Sequence, residues 1–117
     1  GSLSINEAYN PASNTWSNKA SMPTARFELA ATSVNNIIYA MGGYSAASGS
    51  SVSTNEAYDP ASNTWTTKTS MPTARWVFAA SAVNNIIYAI GGVDGNGLST
   101  TNEAYTLIQT YYIHKKN

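Results

Sequence analysis

Apolar positions in this chain come in short runs, and each run is closed by a turn former. "AATSV" (Ala30–Val34) and "AASAV" (Ala79–Val83) lead into Asn35-Asn36 and Asn84-Asn85. Asn tolerates the positive φ that a two-residue type I′ turn needs at both central positions, so each pair predicts a tight hairpin. The returning strands, "IIYAM" (Ile37–Met41) and "IIYAI" (Ile86–Ile90), are rich in β-branched and aromatic residues. Gly42-Gly43 and Gly91-Gly92 end them, where absent side chains permit a bend or a close backbone approach. A variable loop follows, Tyr44–Ser53 in one copy and Val93–Thr100 in the other. "TNEAY" then reads as a third strand, Asn10-Pro11 and Asp59-Pro60 open turns, and "NTWSNK" and "NTWTTK" read as fourth strands.

The same text is written twice. Residues 6–43 match residues 55–92 at 28 of 38 positions with an offset of 49, and "NEAY" returns a third time at Asn102–Tyr105. Self-similarity at that period indicates a repeat architecture, and four antiparallel strands per unit make a propeller blade. The Gly doublets, the Tyr9/Trp16 and Tyr58/Trp65 pairs with six residues between, and the preceding "MPTAR" occur in register twice. In this the chain resembles the Kelch repeat family. The resemblance implies an all-β fold of Kelch-type β-propeller blades with the first strand nearest the axis, which suits the small Ala30, Ala31, Ala79 and Ala80.

The expected division is a tag remnant at 1–2, a half-blade of third and fourth strands at 3–20, a complete blade at 21–69 and a second blade at 70–117. The third copy departs from the pattern after Tyr105, with Tyr112 in the place of Trp, and Gln109–Lys115 reads as a terminal fourth strand with a charged tip. Gly1-Ser2 reads as a cleavage scar and the tip as a chain end. Two blades leave apolar flanks wet, and repeat units need about three or more for stability. The sequence therefore predicts a ring completed by homo-oligomerisation, with a six-bladed trimer first. The surplus N-terminal pair is expected to complete a neighbour's last blade, displacing residues 100–117; a remnant of a truncated upstream blade is the other reading.

Composition narrows the function. Only 10% of residues are charged, against roughly 25% in ordinary domains, and six Lys plus Arg balance six Asp plus Glu. No basic patch for nucleic acid or an anionic membrane results. Without cysteine there is no thiolate nucleophile, and a single histidine, His114, supports neither a catalytic triad nor a metal site within one chain. No catalytic residue, metal or cofactor is predicted, and the copper oxidases that use Kelch-like propellers are excluded for want of their ligands.

Binding candidates cluster at the start of the inner strands. Arg26 and Arg75 would place one guanidinium per blade around the channel mouth, suited to an acidic peptide or an anionic carbohydrate. An Arg at the similar position lines the pocket of Kelch-type adaptors, so the resemblance implies the same role; pairing with Glu56 is the structural alternative. Phe27 and Trp76 follow directly and are candidates to stack on a ligand, with Tyr44, Asp94 and Asn96 in the variable loops. "DGNG" (Asp94–Gly97) reads as a tight turn rather than a calcium loop. Glu7, Glu56 and Glu103 recur beside Ala and Tyr, which argues for a structural task repeated per blade. The leading function is a non-enzymatic propeller scaffold for protein interaction. The alternatives are a fragment of a larger, secreted bacterial protein or enzyme whose propeller positions another domain, and an engineered propeller fragment. Extracellular and cytoplasmic locations both stay open.

Overall fold

The computed structural model describes residues 1–107. The expected strand Gln109–Lys115, with Tyr112 and His114, lies outside the described residues. In chain order the strands are β1 (Asn6–Asn10), β2 (Thr15–Lys19), β3 (Ala30–Val34), β4 (Ile37–Met41), β5 (Tyr44–Ser45), β6 (Ser50–Ser51), β7 (Asn55–Asp59), β8 (Thr64–Lys68), β9 (Ala79–Val83), β10 (Ile86–Ile90), β11 (Val93–Asp94), β12 (Gly97–Leu98) and β13 (Asn102–Thr106). Among the described residues there is no helix. β3-β4-β7-β8 form a four-stranded antiparallel sheet, β9-β10-β13 a three-stranded one, and β1-β2 a separate hairpin.

Local chemistry sets the turns. Asn35 and Asn36 adopt φ of 52° and 64°, Asn84 and Asn85 51° and 63°, the left-handed pair that a type I′ turn requires. At the other end of each sheet, Asn10 and Asp59 accept the amides of Ala12 and Ala61 through Oδ1, so the side chain closes the turn before Pro can extend the strand. The variable segments are not plain loops. Tyr44 pairs with Ser51 and Val93 with Leu98, giving the short hairpins β5-β6 and β11-β12.

Alternation gives each sheet two faces. Val34, Tyr39, Met41 and Ala57 form one face of the first sheet, and Ile87 meets them from the second sheet, with Phe78, Ala80, Ala82 and Tyr105 packed around. The inner strands β3 and β9 face each other across this contact. Gly42 marks the closest approach: a Cβ there would lie 2.6 Å from the Arg75 carbonyl oxygen and 2.6 Å from the Phe78 ring. Only glycine fits.

The 49-residue offset lets each residue be compared with its counterpart under different cover. Val34 is 8% exposed and Val83 56%; Met41 is 2% and Ile90 46%; Ile87 is 1% and Ile38 38%. Identical or near-identical side chains are buried where a sheet abuts them and wet where none does. The aromatic pairs follow the same rule. Tyr9–Trp16 and Tyr58–Trp65 hold their rings 5.2 and 5.1 Å apart, yet Tyr58 is buried while Tyr9 and Trp16 are exposed. The hairpin fixes the pair, and the neighbour fixes its burial. The radius of gyration of 15.9 Å exceeds the ~13 Å of a compact domain near this size.

Tyr39 lies in the contact between the sheets, 6.3 Å from the Tyr105 ring. Burial, and Tyr105 opposite, push its phenol above the ordinary range. A group whose folded pKa is raised contributes stability below its unfolded value and loses it as pH climbs. Stability should therefore fall above about pH 10, and Tyr39→Phe should flatten that loss in urea melts taken from neutral to alkaline pH. An unchanged alkaline slope would remove Tyr39 as its source.

Candidate functional site

The repeated "MPTAR" segment delivers an arginine beneath each sheet rather than into an open mouth. Arg26 and Arg75 are both fully buried. Arg26 Nη1 donates to the carbonyls of Gly42 and Thr54 at 2.9 and 3.0 Å, and Nη2 donates to Ala40 O at 3.1 Å and to Glu56 Oε1 at 2.8 Å. Arg75 repeats the arrangement on Gly91, Thr101, Ala89 and Glu103 at 2.9–3.0 Å for the carbonyls and 2.8 Å for the carboxylate. The threonine two residues earlier completes each node, Thr24 Oγ1 reaching Glu56 Oε2 at 2.8 Å and Thr73 Oγ1 reaching Glu103 Oε2 at 2.6 Å. Burial lowers the Arg26 pKa from its ordinary value, and Glu56 opposes the shift.

Four donors per guanidinium are thus spent on the chain's own second and third strands. Glu56 and Glu103 do the structural task expected of the recurrent glutamates. In each node the fifth donor, Nε–H, has no protein acceptor. Glu7, the third recurrence, is exposed and has no ion-pair or hydrogen-bond partner among the described residues.

Three other candidates do come together. Phe27 exchanges backbone hydrogen bonds with Tyr44 at 2.9 and 3.0 Å, and Trp76 does the same with Val93. These bridges dock the short hairpins on the residue that follows each arginine. The outcome is an aromatic triad spanning both repeats: Phe27 to Tyr44 5.3 Å, Tyr44 to Trp76 5.5 Å and Phe27 to Trp76 6.3 Å between ring centroids. Phe27 is exposed, and Tyr44 and Trp76 are half-buried. Asp94 and Asn96 belong to the β11-β12 turn, where Asp94 Oδ1 accepts the Asn96 amide at 2.7 Å.

The family comparison bears on the same residues. The Kelch motif model matches residues 25–72 and 78–109. The chain belongs to the Kelch motif family. A comparison with curated protein sequences gives no match. In this Kelch chain the matched segments contain the Gly doublets, Arg75's acceptors and the third-strand Glu56 and Glu103. Arg26 and its carboxylate Glu56 lie within the first matched segment, and Arg75 lies between the two segments. A cleft of about 130 Å³ lies between the two sheets, lined by Met41, Asn55, Met71, Ile87, Glu103 and Tyr105, below the ~300 Å³ of ordinary ligand pockets.

Removing one member of a buried pair strands the other. Arg26→Ala should lower unfolding free energy by about 3–5 kcal/mol, and Arg75→Ala by less, since Glu103 keeps more contact with solvent than Glu56. Urea denaturation measures both. Unchanged stability in Arg26→Ala would contradict a structural role for the node.

Proposed function

We propose that this chain is a Kelch β-propeller scaffold for protein interaction, with no catalytic chemistry of its own, and that it assembles with copies of itself through its open sheet faces. Three chains of two blades each would close a six-bladed ring. Kelch repeats are generally found in scaffolds of this kind.

The supporting observation is the exposure of counterpart residues. Val83, Tyr88 and Ile90 on the outer face of the second sheet repeat Val34, Tyr39 and Met41, which the second sheet covers within the chain. Ile38, on the opposite flank of the first sheet, repeats Ile87. One flank therefore carries the knobs, and the other carries the surface on which such knobs already pack. Contact of that kind is heterologous, and it closes when the rotation per chain divides a full turn. Burying the half-exposed Val83, Ile90 and Ile38 contributes about 1 kcal/mol each.

Ligand recognition is assigned to the aromatic triad of Phe27, Tyr44 and Trp76. An acidic peptide or anionic carbohydrate arriving there would meet ring faces, because both guanidinium groups are held beneath. Planar or apolar groups suit that surface better than oxyanions.

Light scattering on the eluting 117-residue chain tests the assembly. The expected particle has three times the 12.4 kDa chain mass. A monodisperse single subunit at micromolar concentration would contradict it.

A further inference from the structure

The N-terminal hairpin holds the place of the outer half of a blade, and the inner half of that place is open. Met22 N–H donates to Ser4 O at 2.8 Å as Met71 N–H donates to Ser53 O at 2.9 Å. Asn6 Nδ2 reaches Ala20 O as Asn55 Nδ2 reaches Thr69 O. β1-β2 thus sits against the first sheet as β7-β8 sits against the second. Where an inner hairpin would lie, a concave surface is lined by Leu3, Ile5, Met22, Leu29, Ile38 and Trp65. Leu3 and Ile5 are more than half exposed there.

The second sheet has the complementary arrangement. Its inner hairpin β9-β10 is complete, and the third-strand position on β10 is held by β13, with Ala89 opposite Glu103 and Ile90 opposite Asn102. "NEAY" in β13 is identical to "NEAY" in β1. Beyond those four residues the two segments differ. Residues 6–19 match the outer half of the complete sheet, residues 55–68, at 11 of 14 positions, whereas residues 102–115 match it at 5 of 14. β1-β2 also already has the Tyr–Asn turn of the complete sheet, Tyr9 Oη to Asn14 Oδ1 at 2.6 Å against Tyr58 Oη to Asn63 Oδ1 at 2.8 Å.

Resting on the self-assembly proposed above, we infer that chains join by strand exchange: β1 of one copy replaces β13 on β10 of a second copy, and Glu7 replaces Glu103 as the carboxylate paired with that copy's Arg75. The exchange keeps the register of the strand it displaces, with Asn6 opposite Ile90, Glu7 opposite Ala89 and Tyr9 opposite Ile87. It converts an exposed, unpaired carboxylate into the partner of a buried guanidinium. It also fills the concave surface with the second copy's β9-β10. The incoming copy therefore receives its fourth strand, with Trp16, from the chain on which it packs. No bond other than hydrogen bonds and packing contacts changes.

Two single substitutions separate the arrangements. Glu7→Gln leaves the isolated subunit intact, since Glu7 is exposed there, and Glu103→Gln breaks the intrachain pair. Under strand exchange, sedimentation equilibrium should show Glu7→Gln raising the dissociation concentration at least about tenfold, with Glu103→Gln lowering it, because only the unexchanged subunit loses a pair. An assembly weakened by Glu103→Gln and indifferent to Glu7→Gln would overturn the exchange while leaving self-assembly standing. A monomeric wild type would overturn both.

Discussion

The sheets of this chain carry apolar side chains on both faces, and a face becomes dry only where another sheet lies against it. The rest of this structure depends on that constraint. Where β3-β4-β7-β8 meets β9-β10-β13, Val34, Tyr39, Met41 and Ile87 are dry. Where the contact is not repeated, the corresponding Val83, Ile90 and Ile38 are open to water. The sequence of each face is the same to within a few substitutions, so burial here is a property of neighbours rather than of residues. Hydrophobic stabilisation scales with the apolar area removed from water, and the unmatched flanks forgo it in the single chain.

Within each sheet, a different device holds the strands in place. Arg26 and Arg75 lie beneath their sheets, neutralise Glu56 and Glu103, and saturate carbonyls at the ends of the second and third strands. A buried charge is tolerable only when paired and hydrogen-bonded, and these nodes meet both conditions. Their geometry also requires the Gly doublet. Gly42 lets the Arg75 backbone approach to form the Gly43 N–H to Arg75 O bond of 2.9 Å, which ties one repeat to the next. The ion-pair node and the glycine clearance thus form one mechanical unit per repeat, and the aromatic triad stands on top of it.

Much of this was legible in the residues alone. The Asn-Asn turns, the Gly doublets and the four-strand unit are local: turn chemistry and β-branched runs determine them wherever the chain is placed. The direction of the arginine side chains stood between two readings, an open channel mouth and a pairing with Glu56, and the structure gives the pairing. The carboxylate partners lie 30 residues away for Arg26 and 28 for Arg75, so only the place of the third strand beside the second decides between the two. The short β5-β6 and β11-β12 hairpins were hidden for a related reason. Their two-residue ladders are fixed by Phe27 and Trp76 bridging to Tyr44 and Val93, not by the Ser- and Gly-rich text of the loops. The exposure of Tyr9 and Trp16 belongs to the same class, since an aromatic pair identical to a buried one carries no mark of which neighbour it has.

If flanking faces require cover from other copies, folding and association are one equilibrium, and stability must depend on protein concentration. The most direct measurement is the thermal unfolding midpoint across a hundredfold dilution in the micromolar range. The account predicts a midpoint that rises steadily with concentration. One cooperative transition at the same temperature throughout would contradict it.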